Sequence, residues 1–141
     1  ELVDVAKGFK EYLSVIPESK IAMEVGVSAM HDVTEGGVFG ALWELGEASG
    51  VGITAHLDKI PIKQETIEVC EVFKINPYML ISSGSMMIGC EKGNLLVEKL
   101  EETGINAAVI GRATEGNDRI VVSRDETRYI GPAGSDELYK I

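Results

Sequence analysis

Cysteine and positive charge are both scarce in this chain, and each scarcity excludes something. There are only two cysteines, Cys70 and Cys90, with no Cys-x-x-Cys unit and no disulfide framework. They read as two buried thiols in a reducing cytosol, so a cytoplasmic protein is expected. Lysine and arginine number 13 against 23 acidic residues, for a net charge of −10, and no Lys/Arg cluster stands out. Such a surface repels phosphate backbones, which argues against a nucleic-acid partner. No apolar run is long enough to cross a bilayer. The nearest, Tyr78 to Cys90, is interrupted by Ser82, Ser83, Gly84 and Ser85. No signal peptide is visible either, so no membrane association is expected.

What is present suits one ordinary domain. The chain has 141 residues and is 45% hydrophobic, enough for a core and too apolar for disorder. It begins at Glu1 rather than Met, so a fragment or processed chain is expected. Leu2, Val5, Ala6, Phe9, Leu13 and Ile16 recur at helical spacing, predicting an amphipathic helix stopped by Pro17. A shorter helix over Glu18–Val25 ends at Gly26, and Val27–His31 read as a strand. Val38, Ala41, Leu42, Leu45 and Ala48 mark the buried face of a helix that Gly50 ends. Strand Val51–Leu57 and helix Gln64–Phe73 follow, then Asn76-Pro77 as cap and first turn of a brief helix. Further on come strand Ser85–Cys90, helix Asn94–Thr103 with Leu96, Val97 and Leu100 inward, and strands over Ala107–Ala113, Ile120–Ser123 and Thr127–Ile130. The tail from Pro132 reads as irregular. Helices alternate with strands until the last strands, which follow one another directly. The expected fold is therefore one α+β, layered α/β domain over 1–141, with a mixed sheet covered by helices.

The stretch HDVTEGGVFG carries the chemistry. A strand is expected to end near His31 and Asp32, and a helix to begin near Glu35. Thr34 is the N-cap candidate. Gly36 and Gly37 then fall in the first turn, where amides have no intrahelical partner and no Cβ keeps a ligand away. Free N–H groups together with the helix dipole suit an anion, most naturally phosphate. Glu35 would repel that phosphate unless a divalent cation bridges them, and Asp32 can serve the same purpose. His31 is either a general acid or base or a histidine satisfied at a strand end. The bland alternative is a tight turn whose glycines permit close packing. This is neither a P-loop nor a dinucleotide fingerprint. Ser82-Ser83-Gly84 reads as a turn between a short helix and a strand. Trp43, Met86, Met87 and His56 read as packing or exposed strand positions.

The longer string MHDVTEGGVFGALWELGEASGVGI, followed by IPI and then INPYMLISSGSMMIG, resembles the C-terminal domain of the aminoimidazole ribonucleotide (AIR) synthase superfamily. That group includes AIR synthase, the hydrogenase maturation protein HypE, selenophosphate synthetase and thiamine-monophosphate kinase, and the chain looks most like HypE-like, AIR synthase-related proteins. The matching residues are Asp32, Thr34, Glu35, Gly36 and Gly37, then Gly50-Val51-Gly52-Ile53. The resemblance covers roughly Val27 to Arg112. It implies a two-domain, ATP-dependent enzyme of which this chain is the C-terminal domain, inactive alone. Its own N-terminal domain would supply most metal-binding aspartates and the contacts of a homodimer. ATP phosphates would lie near the Gly-Gly turn, with Mg²⁺ held partly by Asp32 and Glu35. The Gly36 and Gly37 amides and the Thr34 hydroxyl would contact phosphate. Asp32 would take part in catalysis, with His31 as proton shuttle, and Ser82, Ser83 and Gly84 would face the cleft. The implied reaction is phosphoryl transfer to a carbonyl or carboxamide oxygen of an unspecified small molecule or protein. Two departures favour the alternative of a non-catalytic binding or assembly module. No cysteine follows Cys90, where HypE ends in one, and Ser82-Ser83-Gly84 stands where HypE-type proteins tend to carry Asn-Glu-Gly.

Overall fold

A computed structural model describes residues 1–141. The elements in order are α1 (Leu2–Gly8), α2 (Ile16–Val25), β1 (Ala29–Asp32), α3 (Gly37–Ser49), β2 (Gly52–His56), α4 (Gln64–Phe73), β3 (Met86–Gly89), α5 (Gly93–Glu102), β4 (Gly111–Thr114), β5 (Arg119–Ser123) and β6 (Glu126–Tyr129). Short 3₁₀ turns cover Phe9–Tyr12, Leu57–Lys59, Pro77–Met79 and Glu137–Lys140.

The layered α/β arrangement with a mixed sheet is as expected from the pattern. β4-β2-β5-β6 form a four-stranded sheet in which β2 runs parallel to β5 and antiparallel to β4, and β5 antiparallel to β6. β1 and β3 stand apart as an antiparallel pair, with Asp32 opposite Met86. Two cores follow from this division. Phe39 and Leu42 of α3 pack on Ile53, Ala55 and Val121 of the larger sheet. Ala22 of α2 meets Leu96 and Leu100 of α5, with Val27, Ile88 and Cys90 against them. Of the face predicted for α3, Ala41 and Leu42 are buried and Val38 and Leu45 half-buried, whereas Ala48 is exposed and Phe39, outside that face, is buried.

The N-terminal helix differs from its expectation. It ends at Gly8, a 3₁₀ turn replaces its second half, and Pro17 opens α2 instead of merely ending α1. Proline has no N–H to lose in a first turn, so it starts a helix as readily as it stops one. None of the α1 residues is buried, and Leu2, Val3 and Val5 are about half exposed. The tail is also more ordered than expected, ending in the turn Glu137–Lys140 with Asp136 as its cap. Both cysteines are free thiols, Cys70 buried and Cys90 half-buried.

Candidate functional site

The glycine turn is built by the β1–β3 pair. Ser85 O accepts the Val33 N–H at 2.9 Å, and Val33 is buried, so the chain is pinned just after Asp32. Thr34 and Glu35 then lie exposed. Gly36 and Gly37 both take positive φ, +84° and +63°. This is left-handed backbone that glycine adopts without a Cβ clash. The pair reverses the chain sharply, and α3 starts at Gly37 with Gly36 as its cap. The Thr34 cap expected from the sequence is thus corrected. The helix begins later than the pattern suggested, and no side chain caps it. Thr34 contributes its carbonyl, which accepts the Gly37 N–H at 3.1 Å.

Neither amide expected to be free is open, since Thr34 O already takes the Gly37 N–H. Gly36 N–H donates to Asp136 Oδ2 at 2.7 Å, a bond spanning 100 residues of chain. No backbone carbonyl accepts the Val38 or Phe39 N–H, so the open donors of the first turn sit one step further into the helix than predicted. Close approach is also used by the protein itself. A Cβ on Gly37 would lie 2.6 Å from Tyr78 O and 2.7 Å from Leu80 O, and one on Gly36 2.8 Å from the Ala133 methyl. Packing by glycine, the bland alternative, accounts for both positions. Phe39 stacks on Tyr78 with ring centroids 5.6 Å apart, holding the 77–80 segment against the helix start.

The charged residues take separate places around the turn. His31 Nε2 lies 2.9 Å from Glu44 Oε2, tying β1 to α3, while Nδ1 faces the Asp32 carbonyl. Asp32 is exposed. Glu35 Oε1 accepts the Tyr139 hydroxyl at 3.2 Å, and this bond holds the Tyr139 phenol above its usual range. No group of three or more His, Cys, Asp or Glu side chains converges as a metal cage. Two exposed carboxylates are hard oxygen donors of the kind Mg²⁺ accepts, provided phosphate oxygens, water or another domain complete the shell.

The Ser82–Gly84 loop lies beside this turn because β3 follows it and pairs with β1. Ser82 Oγ donates to Leu80 O at 2.8 Å, and Ser82 O accepts the Ser85 N–H at 3.1 Å. Ser83 is exposed. Gly84 lies so close to the Tyr12 carbonyl that a Cβ there would overlap it. The fold therefore brings His31, Asp32, Thr34, Glu35 and the serine loop to one end of the β1–β3 pair.

Residues that the sequence pattern did not reveal complete the neighbourhood. Glu44 holds His31. Asp136 and Glu137 are both buried. Glu137 accepts the Asn76 N–H at 3.2 Å and pairs with Lys140, whose hydrogen bond is the main reason its carboxyl is held below the usual range. The only local signal was Asp136 as a cap for Leu138 N–H, 2.8 Å away. Its second oxygen, which reaches Gly36, has no local signature.

Comparison with known proteins gives a consistent picture. The family described as "AIR synthase related protein, C-terminal domain" matches residues 3–123. A putative hydrogenase expression/formation protein of Methanocaldococcus jannaschii is 33% identical over 102 residues, covering 70% of this chain and 30% of that protein. Carbamoyl dehydratase HypE of Rhodobacter capsulatus is 28% identical over 97 residues, covering 66% of this chain and 28% of that protein. The matched segment thus spans less than a third of the length of these relatives. Among solved structures, Escherichia coli HypE, a hydrogenase maturation protein, superposes with a TM-score of 0.77 at 23% identity, over 89% of this chain and 42% of that one. A HypE crystallised in complex with ATP gives 0.73 at 19% identity, over 86% and 40%. These two likenesses show the shared fold.

Proposed function

The chain belongs to the AIR synthase related protein family through its C-terminal domain, and from that premise we propose that it supplies part of the ATP-phosphate and substrate site of a HypE-like enzyme. The observation that carries this reading is the family match over residues 3–123, which contains the whole glycine turn and the serine loop beside it. The ATP complex of a HypE with the same fold supports the choice of nucleotide. The exposed apolar side of α1 supports a neighbouring domain, taken here to be the protein's own N-terminal domain in a cytoplasmic homodimer.

In this reading the reaction is phosphoryl transfer from ATP to a carbonyl or carboxamide oxygen, followed by loss of phosphate. Such chemistry depends mostly on positioning and charge neutralisation. Mg²⁺ would supply the neutralising charge. Asp32 and Glu35 would hold it from this side, and the Val38 and Phe39 amides, with Gly36 when released, would orient phosphate oxygens. Thr34 would add its hydroxyl, Ser82 and Ser83 would line the substrate side with Gly84 shaping their loop, and His31, aimed by Glu44, would move a proton. Titration of Mg-ATP into the full-length protein tests this. Asp32→Asn combined with Glu35→Gln is expected to weaken binding about tenfold or more, as for lost metal and phosphate contacts. No binding by the unaltered protein would sink the reading. Residues 1–141 alone are expected to show no ATP turnover.

A second reading is a binding or assembly module that keeps the fold without the chemistry. Capture of the Gly36 amide by Asp136 favours it, as does Ser82-Ser83-Gly84 in the loop beside the turn.

A further inference from the structure

The last eleven residues lie across the glycine turn and are held there by polar contacts. Asp136 divides its carboxylate between Gly36 N–H at 2.7 Å and Leu138 N–H at 2.8 Å. Glu137 holds Asn76 N–H at 3.2 Å. The Tyr139 hydroxyl reaches Glu35 at 3.2 Å. The Ala133 methyl sits over Gly36 and Gly40, leaving no room for a Cβ on the former. Beneath the segment is a cleft of about 200 Å³ bounded by Gly36, Phe39, Gly40 and Met79, with residues 128–135 as its other wall. The apolar side chains contribute little to this docking. Leu138 is 46% exposed and Ile141 61%. A segment anchored by carboxylates and few buried apolar contacts is the kind that opens locally without global unfolding.

We propose that residues 131–141 form a strap that closes the glycine turn, and that Asp136 competes there with an oxyanion ligand for the Gly36 amide. The idea rests on the reading of the turn as a phosphate contact. One N–H cannot serve a carboxylate and a phosphate oxygen at once. Strap closure and ligand binding are therefore mutually exclusive at Gly36, and each lowers the apparent affinity of the other. Opening also carries two acidic residues, Asp136 and Glu137, away from a turn that already bears Glu35, which removes repulsion from an incoming anion.

The test uses residues 1–141, inorganic pyrophosphate as probe, and amide exchange read residue by residue. Asp136→Asn keeps the shape but weakens the hold on Gly36, and is expected to bind pyrophosphate about tenfold more tightly than the unaltered chain, the closed fraction having been relieved. Adding pyrophosphate to the unaltered chain is expected to speed exchange at Asn76, whose acceptor Glu137 leaves with the strap, and to slow it at Gly36. Equal affinity in the two forms, no binding in either, or binding with Asn76 exchange unchanged would each overturn the strap. Should Asp136→Asn fail to fold, Tyr139→Phe loosens the strap at exposed Glu35 and is held to the same outcomes. Mg-ATP titrated in parallel into the full-length protein separates the two ideas. A pyrophosphate response by residues 1–141 without Mg-ATP binding by the full-length protein keeps the strap and defeats the nucleotide reading. Mg-ATP binding by the full-length protein that leaves Asn76 exchange unchanged does the reverse.

Discussion

Arg119 Nη1 lies 3.0 Å from Glu47 Oε2, and its side chain reaches that carboxylate by passing over Gly46. The guanidinium carbon is 6.0 Å from the Trp43 ring centroid, and the residue is only 9% exposed. A strand residue thereby clamps the outer side of α3 to the sheet. A Cβ on Gly46 would lie 2.8 Å from Arg119 Nε. Gly46→Ala is therefore expected to destabilise the chain despite alanine's better helix propensity, by about 1–3 kcal/mol of overpacking. Denaturant unfolding followed by Trp43 fluorescence measures it, and a stabilised variant would show that Arg119 moves aside freely.

The corrected cap makes a paired prediction. Thr34 bonds through its carbonyl alone, so Thr34→Ala is expected to change stability by less than about 0.5 kcal/mol, whereas a true cap would cost about 1 kcal/mol. Gly37→Ala pushes a Cβ into the Tyr78 and Leu80 carbonyls and is expected to cost about 3 kcal/mol or more from clash and positive φ together. Thermal melts of the two variants decide between a cap and a packing turn.

Thiol chemistry separates the two cysteines. Burial is the main cause that pushes the Cys70 thiol above its ordinary value, with the Glu137 carboxylate adding to it. Cys90 is half-buried. Iodoacetamide at neutral pH is expected to modify Cys90 first and Cys70 only on unfolding, since the thiolate is the reactive form. Mass spectrometry of timed samples reads the order, and early labelling of Cys70 would mean the α4 packing opens readily.

Acid acts on the tail through Glu137. Its carboxyl is held below the ordinary 4.5, chiefly by Lys140. A lowered folded-state value means the stabilisation is present above the unfolded value and is lost as pH falls through the folded one. Amide exchange at Asn76 is expected to gain protection relative to its intrinsic rate above about pH 4.5 and to lose it below, while α5 amides stay protected until global unfolding. Loss of both together would show that the tail does not open separately.

Much of the fold was legible because its signals are local. Helix α4 spans Gln64–Phe73 as its pattern predicts, and the Asn76 side chain accepts Tyr78 N–H at 3.0 Å as a cap should. Leu96 and Leu100, four residues apart, both face the core. The same reasoning put the start of α3 too early. A Thr-Glu-Gly-Gly string satisfies cap chemistry at Thr34 equally well on paper, and the choice of Gly36 instead depends on residues 78–80 and 133 pressing on the glycines from two sides.

The amino-acid order alone therefore determined most of the helices and strands after the N-terminal segment, part of the apolar faces they bury, and the position of a glycine turn between a strand and a helix. Periodicity and turn chemistry act over a few residues and need no distant partner. Only the tertiary structure decided that the strands divide into two ladders, that Glu44 takes His31, and that Asp136 takes the Gly36 amide. These are pairings between groups far apart in the chain, and which acceptor reaches a given donor is settled by how the layers pack.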